Sequence, residues 1–190
     1  MLRPRKLAIV RSSSVLLSSS DYNIQEIGLA TALLDFKISS DIYLAGNVSK
    51  AVVVPLCEQG DSKVRLIYLP FKKLPGKQSI FCGLRRSLEA EKYDLIQVHE
   101  DSQITSCIIA VYGAWKSIPV VLCQGMYKNY DGYIPKLFQY IYDRTILPIL
   151  RKNVAYCIAK TRKAELYLKD KLFQEITADK AGKRARWMRP

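Results

Sequence analysis

The sequence is short of histidine, of acidic residues and of long apolar runs. It has one histidine in 190 residues, and its 30 lysines and arginines outnumber its 17 aspartates and glutamates. One histidine and scattered cysteines do not provide the ligand spacings of a zinc site. No apolar run is long enough to span a bilayer. These absences argue against a zinc protein and a helical membrane protein. The net charge of +13 points to an anionic partner, such as nucleic acid, a membrane surface or a phosphorylated substrate.

Disulfides and export signals are also missing. The five cysteines are odd in number and form no CxxC pair: Cys57, Cys82, Cys107, Cys123 and Cys157. The basic start Met1–Lys6 precedes an apolar run of only four residues, which is too short for a secretory signal. We therefore expect a cytoplasmic protein with free, mostly buried thiols, without a disulfide framework or a metal site.

The standard phosphate-binding loops are absent. No GxGxxG follows the first predicted strand, and no GxxxxGK[ST] occurs. A serine-rich loop, Ser12–Ser20, takes the place after that strand. Two interpretations stay open: the loop presents hydroxyl and N–H groups to an anion at the next helix N-terminus, or it is a flexible polar loop.

Apolar patterning predicts alternating strands and helices. The predicted strands are 6–10, 41–44, 52–54, 64–69, 95–98, 119–123 and 154–159, and the predicted helices are 22–34, 78–91, 102–115, 134–150 and 162–173. This alternation indicates parallel βαβ units and an α/β fold, with a Rossmann-like doubly wound, mostly parallel sheet flanked by helices. We assign residues 1–178 to this domain. Residues 179–190 are a basic tail, predicted to be disordered, truncated or out of frame, with a nucleic-acid-binding arm as the alternative.

The only histidine follows a strand-like segment. In Asp94–Glu100 the apolar residues give way to His99 and Glu100 where a strand would leave the sheet. Ligands of open α/β sheets bind at the carboxyl ends of parallel strands. His99 and Glu100 are therefore candidates for a base with an orienting carboxylate, or for ligands of sugar hydroxyls. The alternative is a structural histidine near a strand end.

A second segment interleaves cations with apolar residues. This composition is suited to an anionic membrane surface, where apolar side chains insert beside cations that meet the headgroups. The apolar residues are Phe71, Leu74 and Phe81, and the cations are Lys72, Lys73, Lys77, Arg85 and Arg86. The alternative is a solvated basic face around a core helix.

Taken in order, several segments resemble the N-terminal domain of a family 4 glycosyltransferase of the two-domain GT-B type. Lys6–Val10 resembles the first strand of that family, and Tyr22–Leu34 its first helix. Asp94–Glu100 is similar to the "D-[VL]-[IV]-H-x-H" strand, with Gln97 in place of the first histidine. Pro119–Gly125 is similar to "P-V-V-x-T-x-H-G", with Gln124 at the histidine, and Ala155–Thr161 to the strand leading to "S-[ET]".

The resemblance implies a function. It implies the acceptor-side half of an enzyme that transfers a sugar from a nucleotide-sugar donor to a polysaccharide or glycolipid acceptor, with no cofactor besides that donor. His99 and Glu100 would take catalytic positions, and the acceptor would be bound by Ser13, Ser14, Asn23 and Gln124. In that family a second, C-terminal domain supplies most donor contacts. This chain ends before such a domain, so we expect it to be inactive alone and to self-associate weakly through the face that the second domain would cover.

The resemblance also implies a location, because lipid-linked acceptors lie in the inner leaflet. We expect a cytoplasmic protein peripheral to the inner face of the membrane. The alternative function is a non-catalytic basic α/β module that binds nucleic acid, which would also explain the net charge.

Overall fold

The computed structural model of the protein describes residues 5–12, 25–74, 78–125, 133–173 and 186–187. They form an α/β fold with a mostly parallel sheet flanked by helices, which confirms the predicted Rossmann-like doubly wound fold. The chain divides into two units, Met1–Gln97 and Val98–Pro190. The division falls within one strand, β7 (Leu95–His99).

The first unit is built on four strands in the sheet order β1-β2-β4-β3. Their bounds are β1 (Arg5–Val10), β2 (Ile38–Ala45), β3 (Val52–Gln59) and β4 (Ser62–Leu69). β1, β2 and β4 are parallel, and helix α1 (Gln25–Leu33) with a following 3₁₀ turn (Leu34–Phe36) packs on them. The core consists of apolar residues from β1, β2, β4, α1 and the 3₁₀ turn: Leu7, Ile9, Ala30, Leu34, Ile42, Leu44, Val64 and Leu66.

The prediction that each strand precedes a helix is wrong for β3. This strand pairs antiparallel with β4 through a tight turn, in which Gly60 has a φ of 59°. Glycine enters this left-handed region without the steric penalty that a Cβ would bring. The polar run Glu58–Asp61 therefore forms the end of β3 and the hairpin turn, rather than a crossover connection.

The first part of the predicted helix 78–91 is also wrong, and residues 71–74, which lie outside the predicted strands and helices, form a strand. β5 (Phe71–Leu74) and β6 (Gln78–Phe81) form an antiparallel hairpin, and helix α2 covers only Leu84–Glu89. Gln78 and Ser79 are buried, and the Ser79 hydroxyl donates to the Ser12 carbonyl at 3.2 Å. This long-range contact favours a strand where the apolar spacing alone suggested a helix. Phe81 is 5% exposed, so the expected insertion of this side chain into a membrane is wrong.

The second unit contains the parallel strands β8 (Val120–Gln124), β9 (Tyr156–Ala159) and β10 (Arg186–Trp187). Its helices are α3 (Ile104–Lys116), α4 (Tyr133–Thr145), α5 (Leu147–Asn153) and α6 (Arg162–Phe173). The predicted helix 134–150 is two helices, with Pro148 in the first turn of the second, where a missing N–H costs nothing. Strand β10 lies inside the basic tail predicted from the sequence.

Cysteine burial and helix length agree with the composition. Cys107, Cys123 and Cys157 are buried, and all five cysteines are free thiols. Burial raises the pKa of Cys157 to about 12, so this thiol stays neutral. Within the described ranges, no helix has the length and apolar character needed to cross a membrane.

Candidate functional site

The carboxyl ends of β7, β8 and β9 come together in the second unit. Just past β7, the Glu100 N–H donates to the Cys123 carbonyl in β8 at 3.1 Å. Just past β9, the Lys160 N–H donates to the Gln124 carbonyl at 2.9 Å. These two bonds bring the chain after three neighbouring strands to one place, at the edge where α/β sheets bind ligands.

Glu100 has an unusual backbone conformation at this edge. Its φ is 65°, in the left-handed region that side-chain-bearing residues seldom adopt. Its carboxylate accepts a hydrogen bond from the Gly125 N–H, with 3.3 Å between N and Oε1. Such conformations cost about 1–3 kcal/mol and cluster at functional sites.

Gly125 leaves the space in which the Glu100 side chain lies. A Cβ on Gly125 would stand 3.3 Å from Glu100 Oε1 and 3.4 Å from Lys160 Cδ. A carboxylate and the aliphatic part of a lysine therefore both lie near the position that a side chain on this glycine would occupy. Glu100 is half-buried and Lys160 is exposed, so both are open to a polar ligand.

The turn after Glu100 is fixed by a pair of side chains. The Asp101 N–H donates to Gln124 Oε1 at 2.8 Å, and Gln124 Nε2 donates to Asp101 Oδ1 at 2.9 Å. The Tyr142 hydroxyl donates to the Asp101 carbonyl at 2.9 Å. Asp101 is 1% and Gln124 0% exposed, so these bonds are made away from water, where they hold the geometry most firmly.

Asp101 titrates well above an ordinary aspartate. Burial raises its pKa to about 6; Lys171 and the Gln124 hydrogen bond lower it, while Glu100 and Asp143 raise it further. Lys171 is shared, because its Nζ lies 2.8 Å from Asp143 Oδ2. The Asp101 carboxyl group can therefore gain a proton near pH 6, inside a hydrogen-bonded network.

His99 lies at the end of β7, as the sequence predicts, but its side chain is only 5% exposed. Its carbonyl accepts a hydrogen bond from Ser106 Oγ at 2.8 Å, which ties β7 to α3. Of the two predicted catalytic residues, Glu100 is the more accessible. His99 is the last residue of β7 and directly precedes Glu100 in the chain.

The other predicted site residues are distributed differently. Ser13, Ser14, Asn23 and Lys77 lie outside the described residues. Lys72 and Lys73 are exposed on β5, and Arg85 and Arg86 are exposed on α2, in the first unit. Arg85 pairs with Glu89 one turn along the helix, at 3.1 Å.

Asp101 and Lys160 are functional candidates that sequence reasoning missed. Asp101 directly follows Glu100, but adjacency does not reveal that one carboxyl group is buried and the other is not. Lys160 follows a strand that the sequence did predict, and its position at the end of that strand is the signal that would have identified it.

Among the residues that the structure describes, no cluster of His, Cys, Asp and Glu could hold a metal ion. No family model matches the chain, and a search of curated proteins gives no match.

Proposed function

We propose that this chain is the acceptor-side domain of a glycosyltransferase that uses a nucleotide-sugar donor. The observation that carries the proposal is the cluster of Glu100, Gln124, Gly125 and Lys160 at the ends of parallel strands in a Rossmann-like sheet. The resemblance of the strands before these residues to a family 4 glycosyltransferase adds to it.

The chemistry of the cluster suits a hydroxyl-bearing acceptor. A carboxylate that already accepts one N–H bond has remaining acceptor capacity for sugar hydroxyls. Glu100 would orient the hydroxyl that displaces the nucleotide diphosphate from the donor sugar, and would take its proton as the new glycosidic bond forms. Lys160, being a flexible cation, would bind an oxygen of the acceptor or of the leaving phosphate.

The buried residues would act through the turn. Asp101 and Gln124 exchange hydrogen bonds, and so they would hold Glu100 in its left-handed conformation. His99 would support the same turn from the end of β7. In this proposal only Glu100 and Lys160 touch the acceptor directly.

Nuclear magnetic resonance of the ¹⁵N-labelled protein tests this assignment. Octyl β-glucoside, below its micelle concentration, and a panel of free sugars serve as acceptor probes. We expect shifts at the amides of Glu100, Gly125 and Lys160, and weaker binding in E100Q. E165Q on α6 is the control, because the Glu165 carboxylate pairs with Arg162 and Lys169 in the same helix. Shifts confined to other surfaces, or unchanged binding by E100Q, would contradict the proposal.

We also propose that the protein is peripheral to a membrane. The exposed cations of β5 and α2 support this, because each lysine or arginine near an anionic surface contributes about 1 kcal/mol. An acceptor that is carried by a lipid would then be reached without a transmembrane segment.

A further inference from the structure

Helix α3 carries a stripe of large apolar side chains that face outward. Ile108 is 49% exposed, Val111 44% and Trp115 61%. Their spacing of three and four residues puts them along one side of the helix. The opposite side packs inward through the buried residues Ile109, Ala110 and Gly113. A helix that is apolar on both sides needs a covering surface on each of them.

The single ionic side chain of helix α3 is a cation. Helix α3 contains no acidic residue, and its last residue is Lys116. The Lys116 ammonium lies over the Trp115 ring, with Nζ 3.9 Å from the ring centroid. The next helix repeats the pattern, because Arg144 lies 4.4 Å over the ring of Tyr140, which is 54% exposed.

We propose that the stripe Ile108–Val111–Trp115 is the surface by which the second unit docks on an anionic lipid bilayer. Aliphatic side chains enter the region of the acyl chains, and a tryptophan ring lies at the level of the headgroups. A lysine beside that ring extends its ammonium to the lipid phosphates. The aliphatic side chains, the tryptophan ring and the lysine therefore each have a partner in an anionic bilayer.

A second copy of the chain fits the stripe less well. A stripe packed on its own copy would meet no carboxylate from either α3, so Lys116 would gain no ionic partner from that helix. An anionic bilayer supplies phosphates for this ammonium group. The proposal goes beyond the glycosyltransferase assignment and stands without it.

Trp115 itself reports on the docking. The chain has two tryptophans, so W187F leaves Trp115 as the only one. We expect its emission to shift to the blue on vesicles of phosphatidylcholine with one third phosphatidylglycerol, and to be quenched by lipids brominated in the acyl chain. On vesicles of phosphatidylcholine alone we expect little change.

Sedimentation of the full chain with the same vesicles gives an independent measurement. Replacing the stripe by serine (I108S, V111S, W115S) should lower the bound fraction at least about tenfold, with unchanged circular dichroism. The matched control is F36S, which removes a large apolar side chain of the first unit that is 74% exposed, and should leave binding unchanged.

Three results would overturn the proposal. One is binding of the serine variant equal to that of the unaltered chain. Another is a Trp115 emission that stays unshifted while the protein is bound. The third is a loss of self-association or of RNA binding in the serine variant, with vesicle binding absent from both proteins, which would assign the stripe to another partner.

Discussion

At the scale of single residues, two buried aspartates have opposite relations to pH. Asp101 in the second unit has a pKa raised to about 6, chiefly by burial. Burial would raise the pKa of Asp41 in the first unit as well, but hydrogen bonds from Arg65, Tyr93 and Lys6 outweigh burial and lower it. The same residue type therefore favours folding at low pH in one unit and at neutral pH in the other.

Replacing Asp101 by asparagine should remove a pH dependence of stability. The folded protein holds the Asp101 proton more tightly than the unfolded chain, whose ordinary value is 3.8. The stabilisation from that proton is complete below about pH 4 and lost as the pH rises through about 6, a change of about 3 kcal/mol at most. In D101N the side-chain amide oxygen of residue 101 still accepts the bond from Gln124. Urea unfolding at several pH values should then show that the free energy of unfolding no longer falls between pH 4 and pH 6. D170N, on the surface of α6, should keep this pH dependence; the same pH dependence in D101N and the unaltered protein would refute the assignment.

Replacing Asp41 should destabilise the first unit at neutral pH. Its carboxylate is fully buried and accepts two bonds from Arg65 at 2.7 Å, with the Lys6 ammonium at 3.0 Å. D41N leaves these cations without that charge, which costs about 3–5 kcal/mol for a buried pair. Because the pKa of Asp41 is lowered, its stabilisation is present above about pH 4 and lost as the pH falls through the folded value.

Chemical unfolding at pH 7 and at pH 3 measures this effect. The difference between D41N and the unaltered protein should be large at pH 7 and shrink at pH 3. D61N in the turn between β3 and β4 is the exposed control, expected within about 0.5 kcal/mol. A difference that stays constant across this range would speak against the ionic role of Asp41.

At the scale of elements, the junction of α3 and β8 depends on a close approach. The Ile118 N–H donates to the Gly113 carbonyl at 2.8 Å, and Ser117 ends the helix with a φ of 57°. A Cβ on Gly113 would lie 2.3 Å from Val120 Cγ2 and 2.7 Å from the Ile118 carbonyl oxygen. Only glycine lets the helix pack on the strand that leads to Gln124.

Alanine should therefore have opposite effects at two glycines in helices. G113A should lower the free energy of unfolding by about 1–3 kcal/mol through overpacking. G28A, on the exposed side of α1 with no atom within 4 Å of the new Cβ, should raise it by about 0.5–1 kcal/mol. Thermal denaturation of both variants checks the pair, and a G113A protein as stable as G28A would disprove the close approach.

Elements with a local signal were predicted well. Helix 162–173 was predicted at its observed bounds, and the Thr161 hydroxyl accepts the Ala164 N–H at 3.1 Å, so its cap is contained in the sequence. The hairpin β3–β4 was missed although it is local, because the predicted strand 52–54 stops well before the turn at Gly60. The hairpin β5–β6 was missed because contacts such as that of Ser79 with Ser12 join distant segments.

At the scale of the whole molecule, the net charge of +13 acts over longer distances than any contact. Changing Lys72, Lys73 and Lys77 to glutamate should greatly weaken binding to anionic vesicles, because these cations lie close together in the sequence. The control K37E, K50E, K63E lowers the net charge equally but spreads the change over exposed positions elsewhere.

Vesicle sedimentation over a series of salt concentrations measures both variants. Electrostatic attraction is screened by salt, so the unaltered protein should be released as salt increases, and the first variant should bind weakly throughout. Equal losses in the two variants would mean that total charge, rather than this cationic set, attracts the protein to the bilayer.

The sequence by itself determined the α/β class, the central strands and the position of His99 and Glu100 at a strand end, because apolar runs and their polar ends are local signals. Only the tertiary structure decided which polar residues meet there. Gln124 lies 23 residues from Asp101, yet the two exchange hydrogen bonds, and burial of that pair raises the pKa of Asp101. Burial depends on how distant segments pack. The order of residues therefore could not show that Glu100 is accessible and that the neighbouring Asp101 is enclosed.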